Sequence, residues 1–578
     1  MIWKRMSSPE EDMKWLRMRL ILFATRNAVT RALWIGFGIC LSLWAGSSLC
    51  SGQDRSTARS MIITRQGIVA TSHTLASQAG AQILARGGSA VDAAIAANAV
   101  LAVTEPMMCG IGGDLFVLYW EAKTGKLTGL NASGWAPKAL TPEYFSTKGL
   151  KAVPRDGIHS VSVPGCVDGW SKMHAKFGRL PWRDLFAAAT HYAAEGYPVP
   201  ELIQTAWRIY PTVPFFLPQG KPPAVGDVFV NRDMARAMKL LAEQGRDTFY
   251  RGDIAKAILT TSDRLGGTMT AGDLAEFSSE WVEPVSVDYR GWKVHQLPPN
   301  GQGMAALQML NILENFPPSS QGQNSTEDLH RKIEAMKLAY ADLYSYVADT
   351  RFVPVPLKEL LSKAYASKRA RLIESDKANC DVKPGEPTAG DTTYLTVVDR
   401  EGNIASWIQS IAGAWGSRVL VENMGFLLHN RGGGFSLDPK HPNFLAGRKR
   451  PFHTIIPAFI EKGDVHIGFG IMGGANQPLA HAQFASNFID FGMNLQEALE
   501  APRFTSRTRT GCAILVETRI SPRVLQELSS KGHQLDLRKE HSMLMGRGQA
   551  VLHNSRTKVN YGASDSRADG AAVPEPLP

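Results

Sequence analysis

The Ala-rich run that follows Ser89, beginning AVDAAIAANAV, is apolar on almost every side. Ser89 suits an N-cap and Asp92 falls in the first turn, so the run predicts a helix. A helix with no polar face must be buried. Upstream, Gly67 to Val103 carries the pattern strand, helix, helix, and the first helix, Leu75 to Arg86, stops at Gly87-Gly88. A turn-forming segment from Glu105 to Gly113 leads into LFVLYW, which reads as a strand. Residues 183 to 290 are expected to be mainly helical, with helices near Trp182 to Glu195, Asn231 to Gln244 and Ile254 to Leu265. Glu327 to Tyr346 predicts a long amphipathic helix.

The chain changes character at residues 353–390. SDKANCDVKPGEPTAG is polar and rich in Pro, Gly and charge, which marks a loop. It ends at Asp391-Thr392-Thr393. Tyr394 to Val398 then alternates as a strand, turns at Arg400 to Asn403, and returns along Ile404 to Ser410, a hairpin pattern. Further strands are expected at Val419–Glu422, Gly425–Leu428, Thr454–Phe459, Val465–Phe469 and Ala513–Val516. Helices near Gln477–Phe491 and Asn494–Ala501 are interleaved with them. The sum is α/β (α+β): an αββα sandwich of four layers, two sheets covered by helices on their outer faces.

The net charge of +10 does not signal nucleic acid. The first 60 residues hold nine Lys/Arg against four Asp/Glu, so half of the excess sits in a leader, and no basic run carries interleaved aromatics. In that leader Arg17, Arg19, Arg26 and Arg31 precede the uncharged stretch Ala32 to Gln53, and SSLCSGQ suits signal cleavage. Residues 1–50 are therefore expected to be a signal segment. Export to a periplasmic or extracellular space follows, with no stable membrane span after signal removal; an uncleaved anchor is the alternative. Cys40 and Cys50 lie in the leader. Cys109, Cys166, Cys380 and Cys512 are widely spaced with no CxxC, and are expected to be free thiols, although spacing leaves one bridge open. Neither a metal nor an organic cofactor is implied.

A Thr hydroxyl is a weak nucleophile that needs an adjacent base. If the Asp391–Thr392 bond is cut, the freed α-amine of Thr392, with a pKa of about 7.7–8.0, can take the proton of its own hydroxyl. The same hydroxyl can make that cut by attacking the preceding carbonyl.

Several blocks resemble the gamma-glutamyltransferase (glutathione hydrolase) family of N-terminal-nucleophile hydrolases. They include GIVATSHTLASQAGAQILARGGSAVDAAIAANAVLAVTEPMMCGIGGDLFVLY, SVPGCVDGW, LPPNGQGMAALQMLNILE, GDTTYLTVVDREGNIAS, RPFHTIIPAF, GIMGGANQP and the tail GASDSRADGAA. They run in family order from about Gly67 to Ala572. The resemblance implies autocleavage at Asp391–Thr392 into a large subunit, 51–391, and a small subunit, 392–578, that together form one αββα domain. It places Thr392 as nucleophile, Thr393 at the family's second Thr, Ser410 as the hydroxyl beside the nucleophile, and Gly473 and Gly474 as the oxyanion hole. Expected substrates are small amides or peptides: γ-glutamyl compounds such as glutathione, or else oxamate-like amides or acylated β-lactams.

The substrate pocket departs from the family. Asn131 to Pro137 lacks the Arg that clamps a γ-glutamyl carboxylate, and Trp135 stands in that stretch instead. Ala412 replaces an Asn, Gly434 an acidic residue, and His453-Thr454 the paired serines. Arg431, His453, Thr454 and Trp135 are the candidate substrate contacts, while Arg418 and Arg450 are expected to be solvated. Loss of the usual clamp leaves a non-catalytic binding protein as a competing reading.

Overall fold

The computed structural model describes residues 57–210, 213–382 and 392–577. The leader and Asp391 lie outside the described residues.

Strand Asp114–Glu121 shows how the layers arise. Successive side chains of a strand point to opposite faces. Leu115, Val117 and Tyr119 join one core cluster with the helices Thr74–Ala85 and Ala90–Thr104. Phe116, Leu118 and Trp120 join another, with Phe459, Met472 and Val551 of a second sheet. The first sheet has seven strands in the order 571–574, 68–71, 393–398, 404–410, 114–121, 126–132, 280–282. The second also has seven: 62–64, 559–564, 547–554, 465–472, 458–462, 292–296, 285–289. Its outer face packs on helices Gly303–Leu313, Thr326–Tyr346 and Gln477–Ile489. This is the expected sandwich of two sheets between helical layers.

The Ala-rich helix is buried at every one of its positions. Ser89 accepts from Asp92 N while the Asp92 carboxylate accepts from Ser89 N, a closed capping box. The hairpin forms as Thr393–Val398 against Ile404–Ser410. The two sheets approach closely where strand Val465–Met472 carries Gly468 and Gly470. A Cβ on Gly470 would lie 2.4 Å from the Tyr394 ring, and one on Gly468 would lie 2.5 Å from Ile404.

Four expectations need correction. Residues 280–282 and 285–289, at the end of the stretch 183–290 expected to be mainly helical, are strands. Val419–Glu422 and Gly425–Leu428 are not strands; one isolated bridge, Leu420 to Leu427, joins them. Arg450 is buried, because Glu280 pairs its Nη1 at 2.6 Å and Ser133 O accepts its Nε at 3.0 Å. Cys380 and Cys512 are joined in a disulfide, while Cys109 and Cys166 are buried thiols outside it. Arg418 is exposed as expected and faces Asp156. No helix among the described residues is long and apolar enough to cross a membrane.

Candidate active site

Thr392 is fully buried immediately ahead of strand Thr393–Val398, in the middle of the first sheet. The register pairs Thr393 with Gln409, so Thr392 falls beside Ser410. Its Oγ1 donates to Ser410 Oγ at 3.4 Å, and Gln477 Nε2 donates to Thr392 Oγ1 at 3.3 Å. Ser410 Oγ also accepts from Ala412 N at 2.8 Å. Gln477 is fixed in turn by its Oε1, which accepts from Ile456 N at 3.0 Å. Thr393 points to the other side, as strand alternation requires. Its Oγ1 lies 2.9 Å from Ser72 Oγ, which donates to Glu105 at 2.6 Å. Thr393 thus belongs to a buried network under the helices.

Gly473 and Gly474 follow strand Val465–Met472 and open a short turn into helix Gln477–Ile489. Their φ angles are +143° and +59°, which glycine reaches without Cβ strain. Backbone N–H groups at a helix N-terminus favour negative charge. Gln302 Nε2 holds the turn from behind by donating to Gly474 O at 2.9 Å. The sequence therefore brings a hydroxyl, its two polar neighbours and a tight glycine turn to the junction of both sheets.

Asp114 pairs with Ser410 in the strand register and carries the charged part of the site. It is completely buried, with His429 Nδ1 at 2.9 Å, His453 Nε2 at 3.0 Å and Arg431 Nε at 3.2 Å from Oδ2. Gly134 N donates to Oδ1 at 3.1 Å. Burial opposes its charge, but the two imidazoles outweigh that and hold its carboxyl well below the usual range. Burial pushes His453 down to about 4, so its imidazole is neutral near pH 7. Arg431 Nη1 donates to Thr454 Oγ1 at 2.9 Å, and its Nη2 is buried with no hydrogen-bond partner among the described residues.

The structure thus gathers Arg431, His453 and Thr454 into one group around Asp114, which lies across Ser410 from the Thr392 strand. Trp135 is not in it: its ring contacts are with Phe277, Arg448 and Arg351. Asp114, His429 and Gln477 are participants that sequence reasoning passed over. Only Gln477 had a local signal, a polar residue three positions after the glycine pair; Asp114 and His429 meet only in the folded chain.

One group among the described residues has the composition of a metal site: His330, Glu334 and His533. Lys337 Nζ already pairs Glu334 at 2.6 Å, and the two imidazoles bond each other at 2.9 Å. The lysine supplies the positive charge there, so the group fits a hydrogen-bonded network better than a metal site.

Comparison with known proteins decides the family. Residues 76–575 match gamma-glutamyltranspeptidase. The chain belongs to that family. Among relatives, the glutathione hydrolase-like YwrD proenzyme of Bacillus subtilis is 38% identical over 528 residues, 89% of this chain and 99% of that protein. A glutathione hydrolase proenzyme of the same species is 32% identical, covering 88% of this chain and 92% of its own length. Among solved structures, the cephalosporin acylase from Bacillus halodurans superposes with a TM-score of 0.83 at 39% identity, over 91% of this chain and 99% of that one. The protein is accordingly a hydrolase of the gamma-glutamyltranspeptidase family with the N-terminal-nucleophile fold.

Proposed function

We propose that this family member cuts its own Asp391–Thr392 bond and then hydrolyses small amides, γ-glutamyl compounds such as glutathione first among them, through an acyl-enzyme on Thr392. The observation that carries the reading is Thr392 itself, its hydroxyl set between Ser410 and Gln477 beside the Gly473-Gly474 turn. Ser410 and Gln477 orient Oγ1. The freed α-amine accepts its proton, and Oγ1 attacks the amide carbonyl. The Gly473 and Gly474 N–H groups receive the oxyanion, a contribution of several kcal/mol, about 2.7–4 per donor elsewhere. The amine proton passes to the departing nitrogen, and water then releases the acid by the same route in reverse. In the pocket, Arg431 presents Nη2 to an anionic substrate group, with His453 and Thr454 beside it. Trp135 is left out of this assignment because its contacts lie elsewhere.

A second reading is acylase action on a non-glutamyl amide. It is favoured by the absence of the usual carboxylate-clamping Arg between Asn131 and Pro137 and by the likeness to a cephalosporin acylase. Export is part of the proposal, supported by the leader sequence and by the disulfide, which persists in oxidising compartments.

Thr392→Ala tests the reading: the variant should remain one chain and lose all amidase activity. In the native protein, the shorter fragment should begin at Thr392 on N-terminal sequencing, and activity should rise through about pH 7–8 as the amine loses its proton. A different first residue in active enzyme would refute it. Release of p-nitroaniline from γ-glutamyl-p-nitroanilide, measured beside ammonia release from simple amides, separates the two substrate readings.

A further inference from the structure

We infer that the Cys380–Cys512 disulfide ties together the two products of the Asp391–Thr392 cut, so that the mature protein is a covalently cross-linked pair of chains. The inference rests on the proposed cut. Cys380 precedes that bond and Cys512 follows it, and their Cα atoms are 5.0 Å apart.

The bond sits in a prepared place. The stretch before Cys380 is held from both halves. From the first, Lys337 Nζ donates to Asn379 O at 2.9 Å, and Glu334 accepts from Asn379 N at 3.2 Å. From the second, Lys531 O accepts from Ala378 N at 2.7 Å, and Lys531 Nζ donates to Ser375 O at 2.6 Å. Cys512 is buried at the start of strand Ala513–Glu517, and its carbonyl accepts from Gln534 N at 2.8 Å. Both backbones are therefore positioned without the cross-link, and the bond closes on geometry that already exists. Cys109 and Cys166 lie buried in the core as thiols. The bridged pair is thus the one that spans the cut.

The chemistry is an ordinary thiol–disulfide exchange. The two thiols give up two protons and two electrons to a disulfide-bearing oxidant of the export compartment, which leaves as a dithiol. Cys380, on the exposed side, is the sulfur such an oxidant can reach. Once the cut is made, the carboxyl end of the first half stays anchored at Cys380 and cannot peel away from the second.

The test uses full-length protein exported to a bacterial periplasm, with free thiols blocked by N-ethylmaleimide before denaturing electrophoresis. Two bands with reductant and one band of summed mass without it are expected. Two bands in both lanes would overturn the inference. One band in both lanes would mean that the cut, not the bridge, had failed. In that case mass spectrometry of an unreduced tryptic digest decides: a joined pair of peptides containing Cys380 and Cys512 supports the bridge, and maleimide on both residues overturns it. Cys380→Ser should still be cut and should run as two bands in either lane.

Discussion

At the scale of single residues, the site depends on one carboxylate. Asp114 faces two imidazoles and a guanidinium with no water-exposed surface. Removing one partner of a buried ionic group costs about 3–5 kcal/mol, because the charges left behind have nothing to meet them. Asp114→Asn should lower unfolding free energy by about that much. It should also raise KM more than it lowers kcat if Arg431 serves substrate. Denaturant titration and steady-state kinetics on the same preparation check both parts. Residue-scale legibility was uneven. Thr392, Ser410 and the glycine pair stood out because their blocks follow a family order. Asp114 did not, since a lone acid before an apolar strand carries no chemistry until His429 and His453 arrive from far along the chain. Arg450 was expected to be solvated because arginine usually is; Glu280 reverses that by pairing it.

Among elements, those whose ends are marked locally were legible. The Ser89–Asp92 capping box announces its helix, and Asn231 does the same for helix Arg232–Gln244, accepting from Met234 N. Strands 280–282 and 292–296 were not, because each has a partner distant in sequence: 280–282 pairs with 126–132, and 292–296 pairs with 458–462 as well as with its neighbour 285–289. The 419–428 region alternates like a hairpin, yet only Leu420 and Leu427 bridge. The sheet-to-sheet contact was equally invisible, and it supplies a prediction. Gly470→Ala places a methyl group against the Tyr394 ring, whose hydroxyl lies 2.7 Å from Ser406 Oγ. Overpacking of this kind costs about 1–3 kcal/mol. Thermal melting should show the loss, and Gly470→Ala combined with Tyr394→Leu should cost less than the two changes summed.

For the molecule as a whole, burial of neutral histidines sets the response to acid. Burial pushes His73 and His453 down to about 4, and His481 and His533 to about 3. For His481 the nearby Arg503 charge adds to the effect of burial, and its Nε2 accepts from Ile471 N at 3.0 Å, an arrangement that suits the neutral ring. Each of these groups binds a proton more readily unfolded, where its pKa is about 6.5. Stability therefore declines as pH falls from about 6.5 toward 4. Asp114, held low in the folded state, adds to the loss once pH passes below the unfolded carboxylate value of about 3.9. Melting temperature should be flat above pH 7 and drop steadily between pH 6.5 and 4.5, and His481→Gln should shallow that slope. A melting temperature that does not change over this interval would refute it.

The strand at residues 68–71 lies between 393–398 and 571–574, so the earliest part of the fold is flanked by its latest. A ribosome must finish nearly the entire polypeptide before either sheet can close. Contacts this distant in sequence form slowly, so the newborn chain stays open for a long interval. The final strand therefore seals the edge of the first sheet only after every other strand of that sheet has been made.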